Sequence, residues 1–236
     1  MGPIRHSALT HVGRVRPLNE DSILALPDQR IWVVSDGMGG HAAGDFASQA
    51  VVEAAASVSA DLPAAERMQA LRAALSRAHD AIRAEGERRG ATIGATVVAL
   101  MLAEEHFVAF WAGDSRLYRF RDGGIELLTT DHSAVADLVT SGTMTWDEVE
   151  ALPQSNAITR AAGVGETLVL DKIRGELRVG DRFLLCSDGL NKYAGFETLR
   201  RAVASAPIET VTDKLVQIAL DGGGGDNISV IVVDVT

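Results

Sequence analysis

Twice along this chain an apolar run ends in Ser-Asp-Gly: Ile31-Trp-Val-Val-Ser-Asp-Gly37 and Phe183-Leu-Leu-Cys-Ser-Asp-Gly189. A short apolar run bounded by turn residues fits a buried strand better than a helix. In the first copy Gly37, Gly39 and Gly40 follow the aspartate and free the backbone for positive φ or for close approach by another group. The repeat therefore predicts core strands with a carboxylate at the end of each. Taken alone, Asp-Gly after a strand is an ordinary turn. The competing reading is a rigid seat for a metal ligand, because a strand fixes the position of its last side chain.

The 236 residues suit one large domain or two small ones. Hydrophobic residues make up 47%, yet no apolar run approaches the length of a membrane span. No apolar segment follows Met1, so secretion is not expected. One cysteine, Cys186, excludes an internal disulfide and suits a reducing cytoplasm. The net charge of −10, from 22 basic and 32 acidic residues, disfavours nucleic acid and anionic membranes as partners.

In chain order, His6 to Val12 reads as a strand, a loop carries Arg16, Glu20 and Asp21, and Ile23 to Leu26 resumes strand. Ala47, Val51, Ala55, Val58 and Leu62 recur at helical spacing, with Pro63 predicted to end that helix. A second helix carries Met68, Leu71, Leu75, Ala78 and Ile82 on one face, with Arg67, Arg72 and Arg77 opposite and His79 near the apolar stripe. Ala95 to Leu102 and His106 to Ala112 form a predicted hairpin, ending in Gly113-Asp-Ser-Arg116. Asp122-Gly-Gly124 is a hairpin turn signal between two further strands. From Thr130 to Glu166 the texture changes to short helices and loops, and Thr145 with Glu148 forms a capping-box pattern. Strands return at Leu168 to Ile173 and Arg182 to Cys186, two helices follow, and Gly222 to Asn227 leads into a last strand, Ile228 to Val235.

Asp36, Asp114, Asp188 and Asp226 thus sit at predicted strand boundaries, and Asp21 joins them from a loop. Buried unpaired carboxylates are costly, so a shared cation would explain their placement. Carboxylates without His or Cys partners suit hard cations such as Mg²⁺ or Mn²⁺. The patterns of zinc sites and of EF-hand loops are missing. Spacing alone does not bring the five together.

Eight short motifs occur in order: Arg16 to Asp21, Asp36-Gly-Met-Gly-Gly-His41, Gly94-Ala-Thr96, Gly113-Asp-Ser-Arg116, Asp131-His-Ser133, Ile158-Thr-Arg160, Ser187-Asp-Gly189 and Gly225-Asp-Asn227. As a set they resemble the PP2C-type (PPM) metal-dependent protein serine/threonine phosphatases, in their compact bacterial form, over essentially the whole chain. The resemblance implies an α+β fold: a central antiparallel β-sandwich with helices on both outer faces, in one domain over 1–236 with a flap at about 130–166. It implies that Asp36 bridges two cations, with the Gly37 carbonyl on one and Asp188 and Asp226 on the other. Asp21, with Glu20, would hold metal-bound water, and Asp114 with Asp188 would help hold a third cation. Arg16 would clamp the substrate phosphate. The implied reaction is hydrolysis of phosphoserine and phosphothreonine by direct attack of a metal-bridging water, opposing a bacterial Ser/Thr kinase, in a cytoplasmic monomer.

At the position of the general-acid histidine of eukaryotic members this chain has Met38. His41 is left between proton transfer and a backbone-capping role. Glu20 and Asp45 stand where the family commonly has Gln and Glu. A cysteine phosphatase would need Cys-x5-Arg, and six residues after Cys186 stands Lys192. A P-loop is excluded because no Lys-Ser/Thr follows Gly222 to Gly225. Two competitors are weighed. A catalytically weak binding module of the same fold would be signalled by loss of a metal aspartate or of Arg16, and neither is lost. A relative specialised for one partner, such as an anti-anti-sigma-type regulator, fits less well because the flap with Ile158-Thr-Arg160 resembles the general Ser/Thr branch.

Overall fold

The computed structural model describes residues 3–39, 43–150, 152, 154 and 157–236. Its elements in chain order are β1 (Ile4–His11), β2 (Asp21–Leu26), β3 (Ile31–Met38), α1 (Ala43–Ala56), α2 (Ala64–Arg89), β4 (Gly94–Ala95), β5 (Val97–Leu102) and β6 (His106–Ala112). There follow β7 (Arg116–Arg121), β8 (Gly124–Leu127), α3 (Ala136–Thr140), α4 (Trp146–Val149), β9 (Asp171–Glu176), β10 (Arg182–Cys186), α5 (Asp188–Asn191), α6 (Phe196–Ser205), α7 (Val211–Asp221) and β11 (Ile228–Val235). All strand pairs are antiparallel. One sheet runs β1-β11-β10-β7-β8, the other β2-β3-β5-β6-β9 with β4 beside β3.

The central strands β5, β6, β10 and β11 lack polar alternation because both of their faces are covered, whereas the edge strands β8 and β9 alternate. In β3, Trp32 and Val34 point into the space between the sheets, where they meet Leu100, Phe107, Phe183, Leu185 and Ile231. Ile31 and Val33 point the other way, onto Leu75, Ala78 and Ile82 of α2 and Val51 of α1. On the far side, Leu184 and Cys186 of β10 pack against Leu199 of α6 and Leu215 of α7. The result is four layers, helix–sheet–sheet–helix, as the α+β sandwich expectation required. Among the described residues no helix is long and apolar enough to cross a membrane.

Local chemistry explains most element ends. Asp122 (φ 52°) and Gly123 (φ 79°) both take left-handed backbone, the conformation of a two-residue hairpin turn. Thr145 and Glu148 form the expected reciprocal capping box at α4. Several predicted boundaries move. Strand β2 begins at Asp21, not Ile23, because Asp21 and Ser22 pair with Asp36 and Ser35, so Asp21 stands on the sheet and not in a loop. Helix α1 stops at Ala56 instead of reaching Leu62: the Ser57 hydroxyl donates to the Ala54 carbonyl, and Arg67 turns back onto the carbonyls of Ala60 and Leu62. Strand β3 does not end at Asp36, because Gly37 and Met38 pair with Ala95 and Gly94. Strand β9 begins at Asp171 instead of Leu168, since its partner β6 offers Trp111 there as the last ladder position.

Gly189 lies in α5, where alanine would ordinarily be preferred by about 0.5–1 kcal/mol. Here a Cβ would sit 1.9 Å from the carbonyl oxygen of Asn227. Gly189→Ala is therefore expected to lower stability by about 2 kcal/mol or more. A urea unfolding midpoint equal to or above that of the native protein would contradict this close approach.

Candidate metal centre

At one end of the sandwich five segments deliver carboxylates to a common pocket of about 310 Å³. On the β2–β3 ladder Asp21 lies directly opposite Asp36. Asp36 is pinned by Thr96: its N–H donates to the threonine hydroxyl at 2.9 Å, and the Thr96 N–H donates to its carbonyl at 2.8 Å. The same hydroxyl lies 2.7 Å from that of Ser115, which draws the β6–β7 loop and Asp114 toward Asp36. Asp188 begins α5, and Asp226 immediately precedes Asn227 and β11. The two sheets are joined here through Ser187, whose hydroxyl donates to Asp21 at 2.8 Å and accepts the Ser229 N–H.

Asn227 holds the Arg16 loop in place. Its side-chain oxygen accepts the Glu20 N–H, and its amide donates to the carbonyls of Val12 and Leu18. Gly37 is needed where the loop meets β3 and α1. A Cβ there would lie 2.0 Å from the Gly44 carbonyl oxygen, while the Gly37 N–H donates to Glu20. Arg16, half exposed, grips Asp226 with two nitrogens at 2.9 and 3.0 Å. The residue named as a phosphate clamp and one named as a metal ligand are thus partners in this structure. His41 lies outside the described residues.

Lys192, overlooked in the sequence except as a missing arginine, reaches into the pocket. Its ammonium lies 2.7 Å from Asp188 Oδ2 and 3.3 Å from Asp226 Oδ2. The spacing of four from Asp188 was a usable signal, because residues i and i+4 share a helix face. The signal holds only once α5 turns there, and the apolar pattern after Gly189 does not predict that turn.

The electrostatics are those of crowded, buried acids. Burial, with the neighbouring charges of Asp188 and Asp226, pushes Asp21 up to about 7, against hydrogen bonds from Ser229 and Ser187. Burial and the surrounding carboxylates hold Asp36 and Asp114 well above the ordinary range. Burial also pushes Asp226 up, but Arg16 and Lys192 outweigh it and leave it low. Glu20 Oε1, Asp21 Oδ1 and Asp188 Oδ1 are buried without a hydrogen-bond partner. An all-oxygen donor set with orphaned buried oxygens fits hard divalent cations. Among the described residues no three such side chains close into a single coordination sphere. Glu20, Asp36, Asp114, Asp188 and Asp226 line the pocket wall, and Arg16 and Lys192 engage two of them, Asp188 and Asp226.

The 130–166 excursion is anchored beside this pocket. Arg116, buried within the sheet, bonds Asp131 through Nε and Nη2, bonds Glu150 at 2.7 Å, and lies 4.8 Å from the ring centre of Trp146. Ile158 lines the pocket and pairs with Ser133.

A family model described as protein phosphatase 2C matches residues 13–219. The chain belongs to the protein phosphatase 2C family. It is 38% identical over 234 residues to the serine/threonine protein phosphatase PstP of Mycobacterium tuberculosis, covering 98% of this chain and 45% of that one. The chain thus spans about half the length of that curated relative. Among solved structures, PppA of Pseudomonas aeruginosa, described as a key regulatory component of T6SS, superposes with a TM-score of 0.92 at 39% identity, covering 100% and 99% of the two chains. The catalytic domain of a PstP in complex with two manganese ions superposes with a TM-score of 0.85 at 36% identity, covering 98% and 97%. The sandwich read from the motifs is therefore the protein phosphatase 2C sandwich, with the carboxylate pocket at its end.

Asp21, Asp36 and Asp114 have raised folded-state values, so the folded chain holds protons that the unfolded chain has released. Their contribution to stability is complete below about pH 4 and is lost as pH rises through the folded values, about 7 for Asp21. In chelator, the melting temperature is expected to fall between pH 6 and pH 8, and to fall less steeply in Asp21→Asn. Equal slopes for the two proteins would contradict the assignment.

Proposed function

We propose that this chain is a metal-dependent phosphatase of phosphoserine and phosphothreonine proteins, with residues 1–236 acting as one domain and 130–166 as its flap. The observation that carries the reading is the meeting of Glu20, Asp36, Asp114, Asp188 and Asp226 around one pocket that Arg16 also lines, with Asp21 buried opposite Asp36 and close enough for its charge to act on it. In this reading Asp36, the Gly37 carbonyl, Asp188 and Asp226 hold two cations, Mn²⁺ or Mg²⁺. Asp21 acts with Glu20 on the water around them, and Asp114 with Asp188 serves a third, weaker ion. When bound, two such cations activate water and neutralise the charge of a phosphate ester.

The protein's own groups do the rest. Asp36 is fixed through both backbone groups by Thr96, so its carboxyl leaves a rigid strand. Arg16 is tethered through the loop that Asn227 holds, and its guanidinium matches two phosphate oxygens at once. Half-exposed at the rim, it meets an incoming phosphate before the deeper acids do. Phosphate monoesters are among the slowest substrates unaided, so electrostatic positioning must supply most of the acceleration. The partners proposed are phosphoproteins made by a cognate Ser/Thr kinase, met by a monomeric, cytoplasmic enzyme.

Chelator-stripped protein should release phosphate from phosphothreonine peptides only after Mn²⁺ or Mg²⁺ is restored. Failure on a phosphopeptide panel and on aryl phosphates would favour the binding-module reading. Asp36→Asn is expected to lower turnover by roughly a thousandfold, and wild-type turnover in that variant would remove Asp36 from the centre. Arg16→Ala should raise KM for phosphopeptide about tenfold with Mn²⁺ still bound in calorimetry. An unchanged KM would contradict the clamp.

A further inference from the structure

Lys192 is placed where the function above puts a cation. Its ammonium bridges the facing carboxylates of Asp188 and Asp226, at 2.7 and 3.3 Å, and both are assigned to one metal. Cation–oxygen bonds to Mg²⁺ or Ca²⁺ run from about 2.0 to 2.6 Å, so an ion held by these two acids would lie within a few ångströms of the lysine nitrogen. Two positive charges at that range repel strongly in a partly buried pocket. The lysine and the ion cannot both keep the pair.

We infer that Lys192 is an internal competitor for the metal seat formed by Asp188 and Asp226, and so sets the cation concentration at which that seat fills. This rests on the assignment of those two aspartates as metal ligands. Lys192 follows α5 directly and is about one-fifth exposed, so its four-carbon stem can swing the ammonium toward the pocket mouth. Doing so releases two ion pairs, and that loss is subtracted from the metal's binding energy. Arg16 also holds Asp226, but it does not bridge to Asp188 and is half exposed, so Lys192 is the stronger competitor. Asp36, which shares the pocket, has no such cationic bridge, and the ion it holds away from Asp188 and Asp226 should be little affected. The two seats are thus predicted to differ in affinity, with the Lys192 seat the weaker.

The test is calorimetric titration of Mn²⁺ into chelator-stripped wild type, Lys192→Met, Lys192→Gln and Lys192→Arg, with the melting temperature of each stripped protein. Methionine keeps the length of the stem without its charge, and glutamine serves if the methionine variant does not fold. The neutral variants should tighten the weaker binding step by about tenfold or more, leave the tighter step within about threefold, and show a larger Mn²⁺-induced rise in melting temperature. Lys192→Arg should behave as wild type. A merely structural lysine would give a different result: a lower melting temperature when stripped, with both binding steps unchanged or weakened. That outcome overturns the inference while leaving the metal centre standing. If wild type and variants alike bind no Mn²⁺, the metal centre fails, and this inference with it.

Discussion

Bringing like charges together is the constraint on which this structure turns. Asp21 and Asp36 stand across one ladder of the first sheet, while Asp188 and Asp226 come from the second. Two carboxylates about 4 Å apart in a partly buried site repel by about 4 kcal/mol, and here the crowding is wider than a pair. Two side chains tie the sheets together at this end. Asn227 accepts the Glu20 N–H, and Ser187 donates to Asp21 on the opposite sheet while accepting the Ser229 N–H on its own. A hydroxyl is suited to this because it offers a donor and an acceptor at one atom.

The apolar layers supply the opposing free energy. Trp32, Phe107 and Phe183 are almost completely buried between the sheets, each worth roughly 2–3 kcal/mol on burial, and Phe107 and Phe183 pack ring against ring at 5.2 Å. The helices then close both outer faces, so the central strands are gripped from two sides. Rigidity of this kind lets side chains at the strand ends stay close without relaxing apart. The same tightness appears in the backbone, where Gly37 meets Gly44 and Gly189 meets Asn227 with no room for a Cβ.

Much of this was legible in the sequence because it is local. The two Ser-Asp-Gly strand ends, the Asp122-Gly123 turn and the Thr145–Glu148 cap depend on residues within a few positions of one another. The ordered motifs then carried the fold, which periodicity alone left open between strand and turn at Asp36. What stayed hidden depends on distant partners. Asn227 looks like a turn residue, yet its side chain holds the Glu20 N–H, 207 positions away in sequence. Lys192 was hidden differently. Its relation to Asp188 is local, but it depends on the single turn of α5 between them, where Gly189 packs against the distant Asn227 with no room for a Cβ. The early end of α1 belongs with these, since Arg67 from the next helix holds the chain that follows it.

The excursion at 130–166 illustrates how charge balance can fix the position of a segment that contributes little core. Arg116 is buried in β7 with its charge intact, and Asp131 and Glu150 offset the cost of taking that charge out of water. Both acids belong to the excursion. Removing one partner from a buried pair typically costs 3–5 kcal/mol, because the other charge is left behind uncompensated. The excursion is therefore held to the sheet by an interaction whose alternative is worse than its own modest net worth. Trp146 covers the guanidinium and keeps water from substituting for the acids. Arg116 lies two residues after Asp114, whose own carboxyl is raised partly by the Asp131 charge. One arginine thus balances the acids of the excursion on one side and borders the acids of the pocket on the other. Where the excursion sits and how Asp114 is charged are consequently parts of one electrostatic arrangement.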